Sequence, residues 1–423
     1  MANMNPKRLR MEVPSQSSPK QTDAVHHLVK KIDGSLLEGG GQILRNAASL
    51  SAITGTAITI DNIRAKRTKP GLRPQHLTGL QMINSLSEGS TLLGASVGST
   101  EVTFLPGHQL RGGPLVADTG TAGSCMLLAQ VALPCLLYSD QQNQEESVEN
   151  NEIQLKGGTD AAMAPPIEYL QRVLIPTLRQ HLHIDASLNL VRRGFFPRGQ
   201  GLVSLKVNSL RVKSSGLPSI CITSRGDVEE ILISVFTAGK VKHSVGERMV
   251  ATAEKIVGTR VAEITAAFAD FPLTDRSIKI NKTCVHEPPE RAFGDGCGII
   301  LVAKSSTGCL LGATGLGERG VSAEDVARGA ADELMDLIFN SEACVDDHLM
   351  DQLVIFMALA DGRSEVIARE PTLHTRTAVA VAEILTTAKF DVRELKEGNG
   401  GLWSISCQGA GISAVGVTDN DTG

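Results

Sequence analysis

The sequence predicts an α/β protein in which a smaller, second α/β domain interrupts the first. Three observations support this prediction. Glycine is abundant, at 42 of 423 residues, and aromatic residues make up only 3%, a balance that suits many tight turns between short elements. Segments with strand and helix periodicity alternate in what looks like a repeated unit. The pattern changes at about residue 208 and resumes at Val345, which predicts a first domain at 30–207 and 344–423 and an inserted domain at 208–343.

The first domain is preceded by a tail. Residues 1–29 are polar and rich in Pro, Ser and Gln, which predicts disorder. Lys7, Arg8 and Arg10 leave two interpretations open, part of a nuclear import signal or a solvated tail. Beyond the tail, β-branched alternating segments predict strands, and apolar segments with helical spacing predict helices. The predicted strands are 30–34, 57–63, 101–104 and 153–155, and the predicted helices are 43–53, 77–86, 121–137 and 166–180.

The inserted domain is predicted to have its own strands and helices. The strands are expected at 219–224, 230–236 and 298–303, and the helices at 247–257 and 323–339. Residues 139–152 are rich in Gln, Asn and Glu, which indicates an exposed loop insertion in the first domain.

Composition excludes several classes of protein. The net charge of −5 does not recruit nucleic acid, so any contact with a polyanion must come from local basic clusters. The longest apolar run, 125–138, contains Gln130 and Pro134 and is too short to span a bilayer, so no membrane partner is expected. None of the eight cysteines has C-x-x-C spacing, which excludes the usual zinc and thioredoxin motifs and predicts small buried residues.

A glycine triplet precedes the first predicted helix, directly after Glu38. Three glycines let backbone N–H groups approach an anion, and the start of a helix adds positive potential. Gln42 and Arg45 lie on one face of that helix, and the Glu38 carboxylate suits a divalent cation. A flexible turn with a surface arginine explains the pattern equally well, so both interpretations stay open.

Two basic loops follow. Residues 64–73 carry five cations in a segment stiffened by proline, directly after an apolar strand, which favours phosphate binding over a merely solvated loop. Residues 192–201 form a second basic, glycine-bearing turn. Contact with an RNA backbone and a hairpin corner with Phe195 and Phe196 in the core are equally supported there.

Two further residues indicate chemistry. Asp351 lies one turn inside an increasingly apolar helix, so its carboxylate is partly buried and needs a partner. His374 stands just before a strongly apolar helix, with Thr375 as the expected N-cap. The positive end of a helix disfavours imidazolium, which leaves a neutral nitrogen free to attack, and it attracts phosphate. The alternative is an ordinary histidine at the start of a helix.

The sequence contains no G-x-x-x-x-G-K-[ST], G-x-S-x-G or H-E-x-x-H motif. The residues alone therefore indicate an anion-handling α/β protein with a candidate nucleophilic histidine.

At these same segments the sequence resembles the RNA 3′-terminal phosphate cyclases. The strings that carry the resemblance run in order from about residue 30 to about 410 and are IDGSLLEGGGQILR, IRAKRTKPGLRPQHL, TAGSCMLLAQV, LKGGTDAAMAPP, RGFFPRGQG, DQLVIFMALA and TLHT. The resemblance implies a large domain of three repeated α/β units, like those of EPSP synthase, with a smaller α/β domain inserted. It also implies that ATP adenylylates a histidine, that AMP passes to an RNA 3′-phosphate, and that the 2′-hydroxyl then closes a 2′,3′-cyclic phosphate.

The resemblance also implies roles for particular residues. His374 would be the nucleophile, and Glu38 would bind a divalent metal, Mg²⁺ or Mn²⁺. The phosphates of ATP or RNA would be held by Arg45, Arg64, Arg67 and Gln75. The adenosine site would be lined by Gln130, Pro165, His348, Asp351 and Gln352.

This chain departs from the family pattern at two positions. The family often has tyrosine where His348 stands, and it usually has glycine where Gln200 stands. Two other classes share the fold: cyclase-like ribosome-assembly factors, which lack the catalytic histidine, and carboxyvinyl transferases of the EPSP-synthase type. His374 argues against the first class and the basic segments against the second. Family resemblance predicts a nuclear location, with the cytosol as the alternative, and leaves the oligomeric state open.

Overall fold

The computed structural model describes residues 29–139, 151–210, 216–267, 278–395 and 401–413. The predicted disordered tail, with its basic residues, lies outside the described residues, and so does nearly all of the predicted loop insertion.

The described chain alternates strands with helices. The strands are β1 (Lys30–Asp33), β2 (Ile58–Asp61), β3 (Ser87–Glu88), β4 (Thr91–Leu93), β5 (Val102–Leu105), β6 (Gln109–Leu110), β7 (Leu115–Asp118), β8 (Glu152–Gly157), β9 (Ala186–Gly194), β10 (Gly201–Val207), β11 (Cys221–Ile222), β12 (Val228–Ala238), β13 (Lys279–Glu287), β14 (Ala292–Phe293), β15 (Gly296–Ser305), β16 (Leu310–Leu316), β17 (Arg363–Ala368), β18 (Lys389–Glu394) and β19 (Trp403–Gln408). The helices are α1 (Gly41–Thr54), α2 (Pro74–Leu86), α3 (Cys125–Leu137), α4 (Ile167–Tyr169), α5 (Ile175–Leu182), α6 (His243–Ala267), α7 (Ala323–Phe339), α8 (Asp347–Leu359) and α9 (Leu373–Leu385). A π-helical turn, Leu170–Leu174, joins α4 to α5.

Three units share one topology. In each, a strand, a helix, a second strand, a helix and two more strands follow in sequence, and the strands lie side by side in the order first, second, fourth, third. The first two strands are parallel and the remaining pairs are antiparallel. The sheets are β1-β2-β5-β4, β7-β8-β10-β9 and β11-β17-β19-β18. The predicted fold class, a repeated α/β domain with a smaller α/β insertion, is confirmed.

The inserted unit interrupts the third repeat between β11 and α8. Its four strands form the sheet β13-β12-β15-β16, against which α6 and α7 pack. The short strand β14 leaves this unit and pairs with β9 of the second repeat, which ties the two together.

One predicted element is placed wrongly by the sequence. The strand expected in the inserted domain at 219–224 is β11, and it pairs with β17 of the third repeat. The reason is that β11 has only two paired residues, and its partner follows the whole inserted unit in the chain. Local periodicity carries no information on such a distant partner.

The cysteines and helices bear on two expectations from composition. Five cysteines are buried as predicted, but Cys221 at the start of β11 is exposed, and two others are partly buried. Among the helices in the described ranges, none is both long and apolar enough to cross a membrane.

Candidate active-site cleft

A cavity of about 880 Å³ lies between the helices of the three repeats and the sheet of the inserted unit. Every site residue implied by the resemblance lines this cavity. These residues are Glu38, Arg45, Arg64, Arg67, Gln75, Gln130, Pro165, His348, Asp351, Gln352 and His374. The structure therefore brings together residues that the sequence scatters over more than three hundred positions, while their individual roles stay predictions.

The glycine triplet shapes one wall of the cavity. Gly39 has φ of +61°, a backbone conformation that favours glycine. A Cβ on Gly41 would lie 2.7 Å from His76 Nε2 and 3.0 Å from Arg45 Nη1, so any other residue would displace these two side chains from their positions. The triplet thus holds the start of α1 open toward the cavity, as an anion site requires.

Glu38 lies immediately before the triplet and is 11% exposed. One carboxylate oxygen, Oε1, is paired with Arg67. The other, Oε2, is buried without a hydrogen-bond partner among the described residues, and it lies 3.8 Å from His374 Nδ1. A buried carboxylate oxygen without a partner is costly, so this atom is available to a ligand.

His374 lies three residues deeper in its helix than predicted. The N-cap of α9 is Thr372, whose hydroxyl accepts a hydrogen bond from the Thr375 N–H at 3.2 Å. The predicted cap at Thr375 is wrong because Thr372, in an extended conformation after Pro371, already supplies the capping oxygen. His374 consequently lies in the first helical turn, with half of its side chain exposed.

The pKa of His374 lies below its ordinary value. Burial is the main cause, Arg45 adds to it, and the Glu38 carboxylate opposes it. The imidazole is therefore neutral at physiological pH. Because Nδ1 faces Glu38, the proton is favoured on Nδ1, which leaves the Nε2 lone pair free.

The basic loop turns three arginines, Arg64, Arg67 and Arg73, into the cavity. Arg64 has φ of +54° and donates to the carbonyls of Lys69 and Gly71, so it also braces the loop. Burial, Arg67 and Arg73 lower its pKa, which indicates a local excess of positive charge. The structure thus favours the phosphate-binding interpretation of this loop over a solvated one.

His76 and Arg73 line the cavity although sequence reasoning did not select them. Burial together with Arg45, Arg64 and Arg73 lowers the pKa of His76 to about 3, so the ring is neutral. His76 Nδ1 accepts from the Arg73 N–H at 3.2 Å and caps α2. The signal for His76 was its position beside Gln75 at a predicted helix start; Gln75 itself accepts from the Ser124 N–H at 3.0 Å and so links α2 to α3.

A second wall is neutral and polar. Gln130 of α3 donates to Gln352 of α8 at 2.9 Å, and Gln352 donates to the His348 carbonyl at 2.7 Å. The His348 ring meets Tyr169 edge to face, with centroids 5.8 Å apart. This amide network orients donors and acceptors without a net charge, which suits a nucleoside better than a phosphate.

Asp351 lies between the wall that carries the arginines and the wall that carries Gln130 and Gln352. Burial raises the pKa of Asp351 to about 7, with His348 and Arg45 opposing that rise. Asp351 is partly buried, as predicted, and it lies on the cavity wall. Asp346, in contrast, is the N-cap of α8, and it accepts from Tyr169 Oη at 2.6 Å and from the Leu349 N–H at 2.9 Å.

The third wall comes from the inserted unit and was not predicted. It is formed by side chains of β12, β15 and β16, among them Ser234, Phe236, Ile300, Thr314 and Leu316. In sequence these are ordinary strand residues, and only the packing of the insertion against the repeats reveals them.

In the second basic turn, the expectation that both phenylalanines lie in the core is correct for Phe195 and wrong for Phe196, and contact with an RNA backbone stays a prediction. Arg193 and Phe195 are buried, whereas Phe196 and Arg198 are exposed. Arg193 lies 3.6 Å above the Phe236 ring, and Phe195 stacks on the same ring at 6.1 Å. The inward face of the turn therefore forms part of the contact with the inserted unit. Gln200 has φ of +59°, which explains why glycine is usual there in the family.

Arg193 is surrounded by three carboxylates. Its Nε donates to Glu287 at 2.9 Å, Nη1 donates to Asp160 at 3.2 Å, and Nη2 is paired with Glu168. Although burial opposes it, Glu168 and Asp160 raise the pKa of Arg193. Asp160 and Glu168 also line the cavity, and neither was selected from the sequence.

The fold and the cleft define an α/β repeat protein with a neutral histidine beside a cation-rich wall, which is a site for phosphate chemistry. Residues 36–392 match the sequence profile of the family described as RNA 3′-terminal phosphate cyclase. The chain is 37% identical over 368 residues to the probable RNA 3′-terminal phosphate cyclase of Dictyostelium discoideum, covering 86% of this chain and 78% of that protein. It is 35% identical over 381 residues to the RNA 3′-terminal phosphate cyclase of Drosophila melanogaster, covering 90% and 96%. It is 36% identical over 365 residues to that of Pyrococcus furiosus, covering 86% and 94%.

The chain belongs to the RNA 3′-terminal phosphate cyclase family, a family of ATP-dependent enzymes of the ligase type. The resemblance noted in the sequence is thereby confirmed.

Proposed function

We propose that this chain converts an RNA 3′-terminal phosphate into a 2′,3′-cyclic phosphate, consuming ATP through a covalent intermediate between His374 and AMP. The observation that carries this proposal is a neutral, half-exposed His374 in the first turn of α9, facing the same cavity as Arg45, Arg64 and Arg67. Family membership supports the overall reaction, and the geometry supports the histidine step.

The first step needs a nucleophile and a way to neutralise charge. The free Nε2 of His374 attacks the α-phosphorus of ATP, a P–N bond forms, and the P–O bond to pyrophosphate breaks. Negative charge then grows on the leaving pyrophosphate. Arg45, Arg64 and Arg67 already line the cavity before ATP binds, so they stabilise that charge without reorganisation.

The remaining steps use the same cavity. An oxygen of the RNA 3′-phosphate attacks the phosphorus of AMP and releases the histidine. The neighbouring 2′-hydroxyl then attacks the 3′-phosphorus and AMP departs. Oxide is a very poor leaving group and AMP a good one, so adenylylation is what makes ring closure feasible, and proximity of the 2′-hydroxyl does the rest.

The residues present fit a divalent cation at Glu38. Within the described ranges, its Oε2 is buried without a partner, and no group of three or more His, Cys, Asp or Glu side chains could form an all-protein site. Mg²⁺ typically binds through one or two carboxylates together with substrate phosphates and water. A single carboxylate, Glu38, beside the arginines proposed to hold phosphates matches this pattern. When bound, the cation would help to neutralise the leaving pyrophosphate.

The test is transfer of label from ATP to protein. Purified protein is incubated with Mg²⁺ and ATP labelled at the α-phosphate, then run on a denaturing gel. We expect an acid-labile label on the wild type and none on His374→Ala. His243→Ala removes an exposed histidine of α6 and is the matched control, which should label like the wild type.

Two outcomes would contradict the proposal. An equal label on His374→Ala and the wild type would remove His374 as the nucleophile. No label on well-folded, metal-supplied wild type would end the cyclase proposal and favour a binding role like that of the cyclase-like ribosome-assembly factors.

We also propose a nuclear location, which rests on the family resemblance and on the basic residues of the tail. Fluorescence microscopy of the tagged full chain should show nuclear signal. Signal confined to the cytosol would contradict it, and a shift to the cytosol in a triple substitution of Lys7, Arg8 and Arg10 would assign the signal to the tail.

A further inference from the structure

The second basic turn carries a large apolar side chain that the fold does not use. Phe196 is 85% exposed, whereas the neighbouring Phe195 stacks on Phe236 in the core. Among the phenylalanines in the described ranges, Phe196 alone is exposed. A single exposed apolar side chain is ordinary on a protein surface, so its surroundings decide whether it has a role.

Two exposed cations accompany Phe196 in this turn. In the part of the chain that the structure describes, no carboxylate pairs with Arg198 or with Arg192. Arg192 donates through Nε and Nη2 to the Gln200 carbonyl, at 3.1 Å and 2.9 Å, and this neutral acceptor leaves its charge uncompensated. The outer face of the turn is therefore apolar and positively charged at once, a combination that suits nucleic acid.

The turn contacts a loop that continues into the cavity wall. A Cβ on Gly199 would lie 2.9 Å from Ala122 Cα, and it would also overlap the Thr121 carbonyl oxygen. Two residues further along, Ser124 lines the cavity, and its N–H donates to Gln75 on the same wall. Two residues of extended chain span about 7 Å at most, which places the turn close to the cavity.

A second loop shows where the cavity opens. The Thr159 N–H donates to the Gly194 carbonyl at 3.0 Å, and the Gly194 N–H donates to Thr159 Oγ1 at 3.2 Å. Of the residues that follow Thr159 and line the cavity, Ala162 and Met163 are exposed. The cavity is therefore open to solvent along this loop, and the second basic turn is attached to the start of the loop.

We propose that the second basic turn binds the single-stranded RNA just upstream of its 3′-phosphate, with a base stacked on Phe196 and a backbone phosphate bound by Arg198. The inference rests on the proposed function, because that function places the RNA 3′ end in the cavity. An RNA chain that ends in the cavity must leave through its opening, and the turn lies beside that opening. Stacking accepts any base and arginine binds any phosphate, so this contact does not select an RNA sequence.

The charge of the turn favours RNA over a second copy of this chain. In a symmetric dimer the same patch lies on both sides of the interface. Two copies meeting at this turn would therefore bring Arg192 and Arg198 of one copy against those of the other, with no carboxylate to compensate them.

The first test is binding of fluorescent single-stranded RNA of about ten nucleotides that ends in a 3′-phosphate, followed by anisotropy. Phe196→Ala should raise the Kd by about 5- to 150-fold, the range expected for loss of one stack between a base and an aromatic ring. Phe196→Trp keeps a stacking surface and should bind within about threefold of wild type. Val285→Ala, the matched control, removes an exposed apolar side chain of β13 that does not line the cavity and should leave the Kd unchanged.

The second test separates the phosphate contact from the stack. Each phosphate contact on a single strand releases counterions, so Arg198→Ala should reduce the slope of log Kd against log salt concentration by about 0.7. Arg328→Ala removes an exposed cation of α7 and should leave that slope unchanged. An unchanged slope in Arg198→Ala would remove the phosphate contact.

The inference is overturned if Phe196→Ala binds RNA within about twofold of wild type, or if Val285→Ala weakens binding equally. A wild-type dimer that Phe196→Ala converts to monomer in sedimentation, with RNA binding unchanged, would instead assign the turn to a contact between copies. Protein labelling from ATP needs no RNA and should be the same in Phe196→Ala as in wild type. Failure of the proposed function looks different, because wild type itself would then take no label, while the Kd for RNA still tests the turn.

Discussion

The arginines of the cleft and the arginine behind it have opposite electrostatic surroundings. In the cleft, burial and neighbouring arginines lower the pKa of Arg64, and positive neighbours help to lower the pKa of His76 to about 3. Behind the cleft, three carboxylates surround Arg193 and raise its pKa. The positive charge of the cleft arginines is therefore available to bind a polyanion, whereas the charge of Arg193 is already compensated by carboxylates. The direction of the pKa shift thus separates Arg64, for which we propose phosphate binding, from Arg193, which carboxylates of the fold already pair.

The largest effect on stability should come from the neutralised site. Arg193→Ala leaves three buried carboxylates without their cation and removes the contact with Phe236. We expect the free energy of unfolding to fall by about 3–5 kcal/mol, as measured by urea titration. Arg198→Ala, at an exposed position of the same turn, is the control and should change it by less than about 0.5 kcal/mol. Similar losses in both variants would break the comparison.

The cleft should respond the opposite way. Arg67→Ala removes a half-exposed cation that faces the cavity and pairs with Glu38, so we expect protein labelling from ATP to fall by about 10- to 100-fold. The free energy of unfolding should fall by about 1–2 kcal/mol, because Glu38 loses its partner, and this loss is smaller than the one expected for Arg193→Ala. Lys69→Ala removes an exposed cation of the same loop and should leave labelling within about twofold of wild type. A large stability loss with intact labelling in Arg67→Ala would assign this arginine to the structural class instead.

The sequence predicted much of the fold because its periodicity is local. The helix predicted at 323–339 matches α7. For the other predicted helices, most of the observed ends lie within a few residues of the predicted ends. The pairing of β11 with β17 was beyond reach, since two short segments separated by the inserted unit have no local pattern in common. The third wall, formed by the inserted unit, was missed for a related reason. Phe236 and Leu316 look like ordinary strand residues in the sequence, and only the packing of the inserted unit against the repeats places them at the cleft.

The second basic turn shows more clearly what sequence periodicity cannot predict. Along β9, even-numbered positions such as Leu188 face inward, which would turn Arg193 outward. The register with β10 shifts between Leu202 and Val203, so that Leu202 opposes Arg192 and Val203 opposes Leu190. Val191 is therefore the extra residue of a bulge, and a one-residue shift exchanges the two faces of a strand. Nothing in the residue types distinguishes Arg193, which is buried, from Arg198, which is exposed.

The smallest effect tests the link between the two regions, since Asp160 belongs both to the Arg193 cluster and to the cavity wall. Its pKa is raised to about 6 in the folded protein from an ordinary value of 3.8. A raised pKa means that the folded state holds the proton more tightly, so this contribution to stability is complete below pH 3.8 and is lost as the pH rises through 6. The amide introduced by Asp160→Asn cannot ionise, so the free energy of unfolding of this variant relative to wild type, measured by urea titration at each pH, should rise by about 1–3 kcal/mol between pH 4 and pH 7. Wild type at the same pH is the reference, which cancels the titrating groups that do not interact with Asp160. A difference that falls over this interval would mean that Arg193 outweighs burial and Glu168 at Asp160, and that the carboxylate belongs to a neutralised structural cluster with no charge left for the cleft.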